Sequence, residues 1–427
     1  MPEQVGVGLI GLGTVGGAVA ARLIDQWELL GERAGATPVL RRVAVRDLAR
    51  PRSVDLKNAV IDADPQALVD DPRVELVIEA MGGAEPATSL IARALEHGKT
   101  VVTANKLVVA SAGPRLWALA QEHAAGFWFE AAVGGGMPVV ALVRDSLRGD
   151  RIGAVDTIIN STTNVILTRM RNTGESLQTA LVDAQQRGMA EADPSSDVDG
   201  WDATYKLVIL SWLALGAHHQ PDEVRRRGIA DLDVSDLAYT GQLGYTVKLL
   251  AHAHRTADGD HLSVMPTAIP AGHPLFDVDD DANAVIISAD LQRETMVRGS
   301  GLAGPSTASA VVSDVVNAIR RSGAQPAPPP SQNVALLSEE DVDGAAYLRL
   351  ELATEAEAGP LALQALEDRG VPVADSVDKP PVDGPFPQLL VLTGAAPLAV
   401  LSRAVETLDS HPAVHAVRCV LDRLEPA

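Results

Sequence analysis

The feature that most constrains this chain is a glycine-rich turn that directly follows an apolar strand near its start. The stretch "VGVGLIGLGTVGGAV" places Gly11, Gly13 and Gly16 in G-x-G-x-x-G spacing, between a predicted strand and a predicted helix. In this spacing the first glycine permits a tight turn, the second lets the backbone approach a pyrophosphate, and the third lets the helix pack against the strand. Because the helix N-terminus then faces the phosphates, the stretch predicts a dinucleotide site that also includes Thr14 and Val15.

The end of the second predicted strand bears on which dinucleotide would bind. A carboxylate at this position holds the ribose hydroxyls of NAD, whereas an arginine accommodates the 2′-phosphate of NADP. Arg46 stands here and predicts a preference for NADP, although Asp47 beside it leaves NAD open. The alternative is that Arg46 is an ordinary surface residue, and Lys57 is a weaker candidate for contacting the same phosphate.

Strand and helix signals alternate through the first part of the chain. After the first strand, further strands are predicted at "RRVAVR", "VELVIEA", "TVVTAN" and "GFWFEA". Strands separated by helices imply a parallel sheet that is covered on both faces. This alternation predicts an α/β fold with a Rossmann dinucleotide-binding domain over residues 1–135.

From about Asp150 the pattern becomes mixed. Strands are predicted at "AVDTIIN", "HLSVMPTAI" and "NAVIISADL", and helices at "WDATYKLVILSWLALG", "SDLAYTGQLGYTVKLLAHAH" and "STASAVVSDVVNAIRR". We assign residues 136–305 to a second, mixed α/β domain. We expect the helix at about 306–322 to return to the dinucleotide-binding domain.

A proline-rich stretch, "SGAQPAPPPSQN", marks the clearest linker in the chain. We place the linker at residues 323–344. Beyond it, the predicted order is strand, helix, strand, strand, helix, strand, which is typical of a small ferredoxin-like module. This module would occupy residues 345–427.

Composition limits the classes of partner and the location. A formal net charge of -21 disfavours binding to nucleic acid or to an anionic membrane. The single cysteine, Cys419, excludes an intrachain disulfide and suits a reducing compartment. The N-terminus lacks the basic leader of a signal peptide, and no apolar stretch is long enough to span a bilayer. We therefore expect a cytoplasmic protein without nucleic-acid or membrane partners.

The stretch "AEADPSSDVDGWDATYKLVIL" at residues 190–210 combines many carboxylates with one lysine. Asp202 and Lys206 are four residues apart and share a face of the predicted helix. On spacing alone, such a pair is most often a solvated salt bridge. Lys206, however, is followed at once by apolar residues, and a lysine at the entrance of a core is suited to proton transfer. The carboxylates would then hold a cationic or polar group of a substrate.

A second glycine cluster, "EAAVGGGMPVV", follows the fifth predicted strand. It lacks the Lys-Ser/Thr ending of a phosphate-binding P-loop, so a triphosphate is not indicated. Two interpretations stay open. The cluster is either a simple turn or a loop whose carbonyl oxygens coordinate a hard cation.

Taken together, these motifs resemble those of homoserine dehydrogenases. The motifs that carry the resemblance follow the family's order along roughly residues 5–320: "GLGTVGG", "EAMGG" at 79–83, "TANK" at 103–106, "FEAAVGGGMP" at 129–138, "NSTTNVILTRM" at 160–170, "EADPSSDVDGWDATYKL" at 191–207, "HPLFDV" at 273–278 and "STASAVVSD" at 306–314. The resemblance implies reduction of L-aspartate 4-semialdehyde to L-homoserine with NAD(P)H, in the biosynthesis of threonine, methionine and isoleucine.

The resemblance also implies roles for individual residues. Lys206 would donate the proton to the carbonyl oxygen, and Glu191 and Asp202 would bind the substrate. Lys106, Gly188 and Gly301 would lie near the cofactor. A structural sodium ion would be held by oxygens of four residues of the second glycine cluster: Glu130, Val133, Gly135 and Met137.

Two further expectations concern the whole protein. In the family the second domain binds the substrate and forms the dimer. The resemblance therefore implies that residues 136–305 are a substrate-binding and dimerisation domain, and we expect a homo-oligomer of at least two chains. The C-terminal module resembles ACT domains, which bind amino-acid effectors such as threonine, but its first turn, "EAEAGPLAL", lacks the usual Asp-x-Pro-Gly order. The alternative is a purely structural or oligomerising module.

The chain departs from the family pattern at several positions. Ser161 replaces a glycine before "TTN", and Ser300, Leu302 and Ser306 alter the loop that would border the cofactor. These changes keep two alternatives open. One is a related NAD(P)-dependent oxidoreductase that acts on another small amino- or hydroxy-aldehyde. The other is a weakened sensor that binds a nucleotide and an amino acid without turnover.

Overall fold

The computed structural model describes residues 3–52, 54–301, 304–322, 332–355, 357–381 and 384–426. The described residues form two units. The first contains the chain up to Val155, Tyr205–Glu223 and the described part of 283–333. The second contains Asp156–Thr204, Val224–Ala282 and the described part of 334–427. The first part of the predicted linker, residues 323–331, lies outside the described residues, as does Leu302.

The first 155 residues supply a parallel sheet and its covering helices. The strands are β1 (Gln4–Ile10), β2 (Thr37–Ala44), β3 (Val60–Asp62), β4 (Leu76–Glu79), β5 (Thr100–Thr103) and β6 (Phe127–Trp128). The helices are α1 (Thr14–Asp25), α2 (Trp27–Ala34), α3 (Pro65–Asp70), α4 (Ala87–Glu96), α5 (Lys106–Glu122) and α6 (Val139–Ala141). The strand order β3-β2-β1-β4-β5-β6 reverses between β1 and β4, which is where doubly wound sheets bind nucleotides. The predicted Rossmann-type α/β fold is confirmed.

The middle of the chain contributes to both units. Its strands are β7 (Ile152–Ile158), β8 (Arg225–Arg226), β9 (Tyr245–Arg255), β10 (Asp260–Pro270), β11 (Ala282–Ala289) and β12 (Arg293–Ser300). Its helices are α7 (Ser161–Thr173), α8 (Leu177–Gln186), α9 (Ser195–Val198), α10 (Trp201–Leu215), α11 (Val234–Gln242) and α12 (Pro305–Arg320). In α12, Val311 and Val315 are fully buried and pack in one core with Leu9, Val19 and Leu23. This helix therefore covers the six-stranded parallel sheet together with α1.

The C-terminal residues follow the predicted order of strand, helix, strand, strand, helix, strand. The elements are β13 (Asp343–Leu352), α13 (Ala358–Glu367), β14 (Val373–Lys379), β15 (Gln388–Thr393), the short β16 (Ala396–Pro397), α14 (Leu398–Asp409) and β17 (Val414–Arg423). The four main strands lie in the order β17-β13-β15-β14, and each neighbouring pair is antiparallel. We call residues 334–426, where the structure describes them, the C-terminal module.

The C-terminal module continues the sheet of the second unit. β17 pairs in parallel with β10, where Thr267 lies opposite Asp422 and Ala268 opposite Arg423. The order within this unit is therefore β9-β10-β17-β13-β15-β14. Every residue of β10 is buried, as expected of a central strand.

One predicted element is wrong. The stretch 235–254 was expected to be a single helix, but α11 ends at Gln242 and β9 begins at Tyr245. Gly244 between them has φ 84°, a conformation that ends a helix. β9 then pairs with β10 along its whole length, from Tyr245 opposite Pro270 to Arg255 opposite Asp260. Pairing with the next strand in an antiparallel hairpin thus outweighs the helical pattern of the local sequence.

The most apolar long segment is α10, with 15 residues. About 20 residues are needed for a helix to cross a bilayer. Across the described ranges, no helix combines the length and the apolar character that crossing a membrane requires.

Candidate active site

The glycine-rich turn has the geometry that its spacing predicts. Gly11 has φ 94°, and a Cβ there would lie 2.5 Å from the carbonyl oxygen of Ala80. A Cβ on Gly16 would lie 2.1 Å from the carbonyl oxygen of Gly11, so neither position has room for a side chain. By contrast, a Cβ on Gly13 would meet no atom within 4 Å. The turn therefore presents bare backbone to open space, as a bound pyrophosphate requires.

Helix α1 begins directly at this turn. Gly13 is its N-cap, so no side chain satisfies the first amides, and the first turn, which contains Thr14 and Val15, carries no acidic residue. The positive end of the helix therefore favours an anion. At the start of α12, a Cβ on Gly304 would lie 3.6 Å from Thr14 Cγ2. Gly301 is also required, because a Cβ there would lie 2.3 Å from Asn283 Nδ2.

Arg46 lies just after β2 and is exposed. The loop that follows is organised by its own side chains. The Asp47 carboxylate accepts a hydrogen bond from Ala49 N at 2.9 Å, and the Arg52 guanidinium donates to the carbonyl oxygens of Asp47 and Leu48. Asp47 thus holds the loop, and Arg46 projects from its beginning at the edge where the second strand ends.

A buried carboxylate, not singled out from the sequence, connects two of the family motifs. Glu79, at the end of β4, is fully buried and accepts a hydrogen bond from Thr103 Oγ1 at 2.6 Å. Asn105 donates to the carbonyl oxygen of Gly83 at 2.7 Å and caps α5, whose first residue is Lys106. These contacts hold the "EAMGG" and "TANK" loops together and position Lys106. A single carboxylate at the end of an apolar strand was the signal in the sequence.

In the second glycine cluster, the carboxylate of Glu130 is buried and engaged. Its two oxygens accept hydrogen bonds from the backbone N–H groups of Val140 at 2.8 Å and Ala141 at 2.7 Å. Burial raises the pKa of Glu130 to about 7, and the two backbone hydrogen bonds oppose this rise. The side chain therefore fixes the loop to the first turn of α6.

A second buried carboxylate lies against the first. The Asp314 side chain, on α12, accepts a hydrogen bond from the backbone N–H of Glu130 at 2.8 Å. Burial, together with the neighbouring charge of Glu130, raises the pKa of Asp314 to about 8. The loop is thus attached to α12 as well as to α6.

The cluster also presents backbone oxygens. The carbonyl of Glu130 accepts from Val133 N at 3.3 Å, and that of Met137 accepts from Val139 N at 2.9 Å. Within the described ranges, the carbonyl oxygens of Val133 and Gly135 have no hydrogen-bond donor. Such oxygens are the ligands that hard cations take. No group of three or more His, Cys, Asp or Glu side chains in the described part of the chain is arranged to hold a metal ion.

In the second unit, Asn160 joins two carboxylates of the acidic stretch. Its Oδ1 accepts a hydrogen bond from Thr163 N at 2.8 Å and caps α7. Its Nδ2 donates to Asp197 at 2.6 Å and to Asp202 at 2.7 Å. Asp202 is 5% exposed, so this amide holds a nearly buried carboxylate in place. Asn160 was not singled out from the sequence.

The other predicted residues of this stretch lie at different depths. Glu191 is exposed, and its carbonyl oxygen accepts from Gln185 Nε2 at 3.0 Å. Gly188 is also exposed and has φ 72° just after α8. Lys206 is partly buried, one helical turn after Asp202, and residues 207–212, which follow it in α10, are fully buried. The lysine therefore stands at the entrance of a core, as the sequence predicts.

Three of the four departures from the family pattern fall on described residues. Ser161 is the first residue of α7, and Ser300 is the last residue of β12. Ser306, in the first turn of α12, lies close to the second glycine cluster, since a Cβ on Gly136 would be 3.0 Å from its Cβ.

Comparison with known proteins agrees with this geometry. The profile of the homoserine dehydrogenase family matches residues 138–316, and the profile of its NAD-binding domain matches residues 11–130. A homoserine dehydrogenase of Synechocystis is 43% identical over 324 residues, which cover 74% of this chain and 73% of that protein.

Two solved structures show how far the likeness extends. A homoserine dehydrogenase from Thiobacillus denitrificans superimposes with a TM-score of 0.92 at 34% identity and covers 99% of both chains. A hyperthermophilic archaeal homoserine dehydrogenase mutant in complex with NADPH superimposes with a TM-score of 0.63 at 29% identity, over 74% of this chain and 98% of that one. The chain belongs to the homoserine dehydrogenase family and is an oxidoreductase with an NAD(P)-binding domain.

Proposed function

We propose that this chain interconverts L-aspartate 4-semialdehyde and L-homoserine, with Lys206 as the proton donor. The observation that carries the proposal is the arrangement of α10. Asp202 is nearly buried and fixed by Asn160, and Lys206 follows one turn later at the entrance of an apolar segment. A partly desolvated ammonium group beside a fixed carboxylate suits proton transfer to a carbonyl oxygen.

The chain's residues would divide the work as follows. In the direction of reduction, the Lys206 ammonium gives a proton to the aldehyde oxygen and regains it from solvent. Asp202 and Glu191 bind the substrate, and the carboxylate of Glu191 is suited to its ammonium group. The nicotinamide, when bound, supplies the hydride to the carbonyl carbon or accepts it in reverse.

The proposed cofactor contacts lie along the glycine-rich turn and its neighbours. Gly11, Gly13, Thr14, Val15 and Gly16 would hold the pyrophosphate, because this turn offers backbone and a helix N-terminus to an anion. Lys106, Gly188 and Gly301 would border the cofactor.

We propose NADP as the preferred cofactor, with Arg46 bound to its 2′-phosphate. The exposed guanidinium at the strand end and the NADPH complex of the archaeal relative support this assignment. Replacing Arg46 by Ala should raise KM for NADP about tenfold and leave KM for NAD unchanged. Arg50→Ala, in the same exposed loop, is the matched control. Equal KM changes for both cofactors would contradict the assignment.

We propose that the second glycine cluster binds a structural sodium ion through oxygens of Glu130, Val133, Gly135 and Met137. The two carbonyl groups without a donor support this, and the hydrogen bonds to the Glu130 carboxylate favour its carbonyl oxygen as the ligand. Replacing sodium by a large organic cation in the buffer should lower the melting temperature. An identical melting curve in both salts would contradict a sodium site.

We further propose a homo-oligomer of at least two chains, a cytoplasmic location and the division into three domains predicted above.

An amino-acid effector such as threonine would bind the C-terminal module, whose order of elements is that of ferredoxin-like modules. Adding L-threonine to an assay of homoserine oxidation tests the effector, and an unchanged rate would count against it.

The test of the function itself is oxidation of L-homoserine by the purified chain with NADP. Turnover with L-homoserine well above that with L-serine or L-threonine supports the proposal. Turnover only with another small amino or hydroxy alcohol would point to a related oxidoreductase. Tight nucleotide binding without any turnover would point to a sensor.

A further inference from the structure

Three consecutive arginines, Arg225, Arg226 and Arg227, lie on and just after the two-residue strand β8. β8 pairs in parallel with β10, and Arg227 N donates to the carbonyl oxygen of Val264 at 2.9 Å. Successive side chains of a strand point in opposite directions. The side chains of Arg225 and Arg227 therefore project from one face of β8, and that of Arg226 projects from the other.

Arg225 and Arg227 reach the C-terminal module. The Arg225 guanidinium donates to both oxygens of Asp422 at 2.6 and 3.2 Å and to Glu339 at 2.8 Å. Arg227 Nη1 donates to the carbonyl oxygen of Val420 at 2.7 Å. Bidentate guanidinium–carboxylate pairs, such as that of Arg225 with Asp422, fix the relative orientation of the two side chains as well as the distance between them. β8 is therefore attached to β17 on this side.

Arg226 reaches the acidic stretch instead. Its guanidinium carbon lies 3.8 Å from the ring centroid of Trp201, and its Nη1 donates to the carbonyl oxygen of Asp199. A guanidinium over an indole face is a favourable cation–π contact. Trp201 is the first residue of α10 and immediately precedes Asp202.

The backbone after β8 also lies close to the acidic stretch. Ile229 N donates to the carbonyl oxygen of Val198 at 2.8 Å, and a Cβ on Gly228 would lie 2.0 Å from that oxygen. A cavity of about 270 Å³ lies beside the pair and is lined by Asp199, Trp201, Arg226, Gly228, Ala230 and Asp231. Trp201 is partly buried and lines this cavity, and the Arg226 guanidinium lies over one face of its indole ring.

We propose that Arg226 is a positioning residue for residues 191–202, which we call the substrate-binding loop, and that β8 couples this loop to the C-terminal module. The inference rests on the proposed function, because it gives the loop its role in binding homoserine. Arg226 would set the position of Asp202 through Trp201 and Asp199. Asp422 would act on the same loop from the other end of β8, through Arg225.

Steady-state kinetics of the full-length enzyme test the positioning role. Arg226→Met should raise KM for L-homoserine about tenfold, with kcat changed less than about threefold and KM for the dinucleotide unchanged. Arg226→Lys, which keeps a cation over the ring, should recover most of the loss. A Met variant with wild-type KM, or a Lys variant as poor as Met, would overturn the proposal.

A double-mutant cycle tests the coupling. Asp422→Asn should raise KM for L-homoserine about threefold, and its effect should vanish when Arg226 is already Met. The matched control is Arg418→Met. Arg418 lies on β17, as Asp422 does, but it forms an ion pair at 2.7 Å with Glu351 of β13, so its replacement leaves the contacts of β8 in place. Coupling through β8 would be contradicted if the effects of Asp422→Asn and Arg226→Met on KM simply multiply in the double variant. It would also be contradicted if Arg418→Met raises KM as much as Asp422→Asn does.

Hydrogen exchange separates this inference from the proposed function. Without any substrate, peptides that cover residues 190–204 should exchange about tenfold faster in Arg226→Met and measurably faster in Asp422→Asn, but not in Arg418→Met. The exchange measurement needs no substrate, so it tests the role of Arg226 even if the wild-type protein fails to oxidise homoserine. Such a failure would contradict only the proposed function. Unchanged exchange in both variants would defeat the inference.

Discussion

Asn160 shows how one side chain can organise a site at the level of single residues. It caps a helix with its oxygen and bridges two carboxylates with its nitrogen. Without the bridging amide, Asp197 and Asp202 would repel each other across a short distance. The substrate-binding role proposed for Asp202 therefore depends on Asn160.

Asn160→Ser should separate these two duties. A serine keeps an oxygen to cap α7 but cannot bridge the carboxylates, so we expect KM for L-homoserine to rise about tenfold and the free energy of unfolding to fall by about 2 kcal/mol, because the nearly buried Asp202 loses a donor. Asn160→Asp also keeps the cap and adds a third negative charge, so its KM should rise further. Steady-state kinetics and urea unfolding measure the two effects. A serine variant with wild-type KM would show that the bridge is dispensable.

The sequence reveals residues whose chemistry is local. Gly11, Gly13 and Gly16 can be identified from the sequence because this type of turn needs glycine at these spacings. Lys206 can be identified because an apolar run follows it directly. Asn160 is not readable in this way, since its partners lie 37 and 42 residues further along the chain. Glu79 likewise bonds to Thr103, 24 residues away. Only the fold reveals such pairs.

At the level of elements, a buried ion pair joins α11 to the sheet of the C-terminal module. The Arg349 guanidinium, on β13, donates to both oxygens of Asp236 at 2.7 and 2.9 Å, and Tyr347 Oη donates to the same carboxylate at 3.2 Å. Asp236 is 1% exposed. Removing one partner of such a pair leaves a buried charge without compensation.

We expect Asp236→Asn to lower the free energy of unfolding by about 3 kcal/mol, because Arg349 would lose its counter-charge. The double variant Asp236→Asn with Arg349→Met should regain most of that loss. Glu340→Gln, in an exposed pair with Arg403, is the matched control and should have no measurable effect. Urea unfolding provides the comparison. A single variant as stable as wild type would show that the pair is not essential.

Local pattern predicts most elements but not their pairing. The Rossmann-type alternation and the order of C-terminal elements are both readable, because each strand and helix carries its own apolar period. β9 is misread as helix, since only its pairing with β10 makes it a strand. β8, with two residues, is too short to carry a period, and the pairing of β10 with β17 joins residues about 150 positions apart.

At the scale of the whole molecule, a buried histidine makes stability depend on pH. Burial, with the nearby charges of His252 and Arg225, lowers the pKa of His261 to about 4. Its ordinary value of about 6.5 applies in the unfolded chain. Between these two pKa values the unfolded chain binds more protons at this histidine than the folded chain does. The contribution of neutral His261 to the free energy of unfolding is therefore fully present above pH 6.5 and is lost as the pH falls toward 4.

We expect the free energy of unfolding of wild type to fall by about 1 kcal/mol more than that of His261→Asn between pH 7.5 and 5.5. Urea unfolding at several pH values measures this difference. The range stays above pH 5 because the chain, with a net charge of -21 at neutral pH, approaches zero charge in acid and would aggregate. Parallel pH profiles of the two proteins would contradict a buried neutral imidazole.

In the proposed reaction, one lysine, Lys206 at the entrance of α10, gives the proton that completes reduction of the aldehyde. The most direct measurement is the rate of L-aspartate 4-semialdehyde reduction by Lys206→Met, at saturating NADPH and substrate, alongside NADPH affinity by fluorescence titration. We predict that kcat falls about 10³-fold while the Kd for NADPH stays within twofold of wild type. A kcat within tenfold of wild type, in a variant that binds NADPH normally, would mean that a group other than Lys206 supplies the proton.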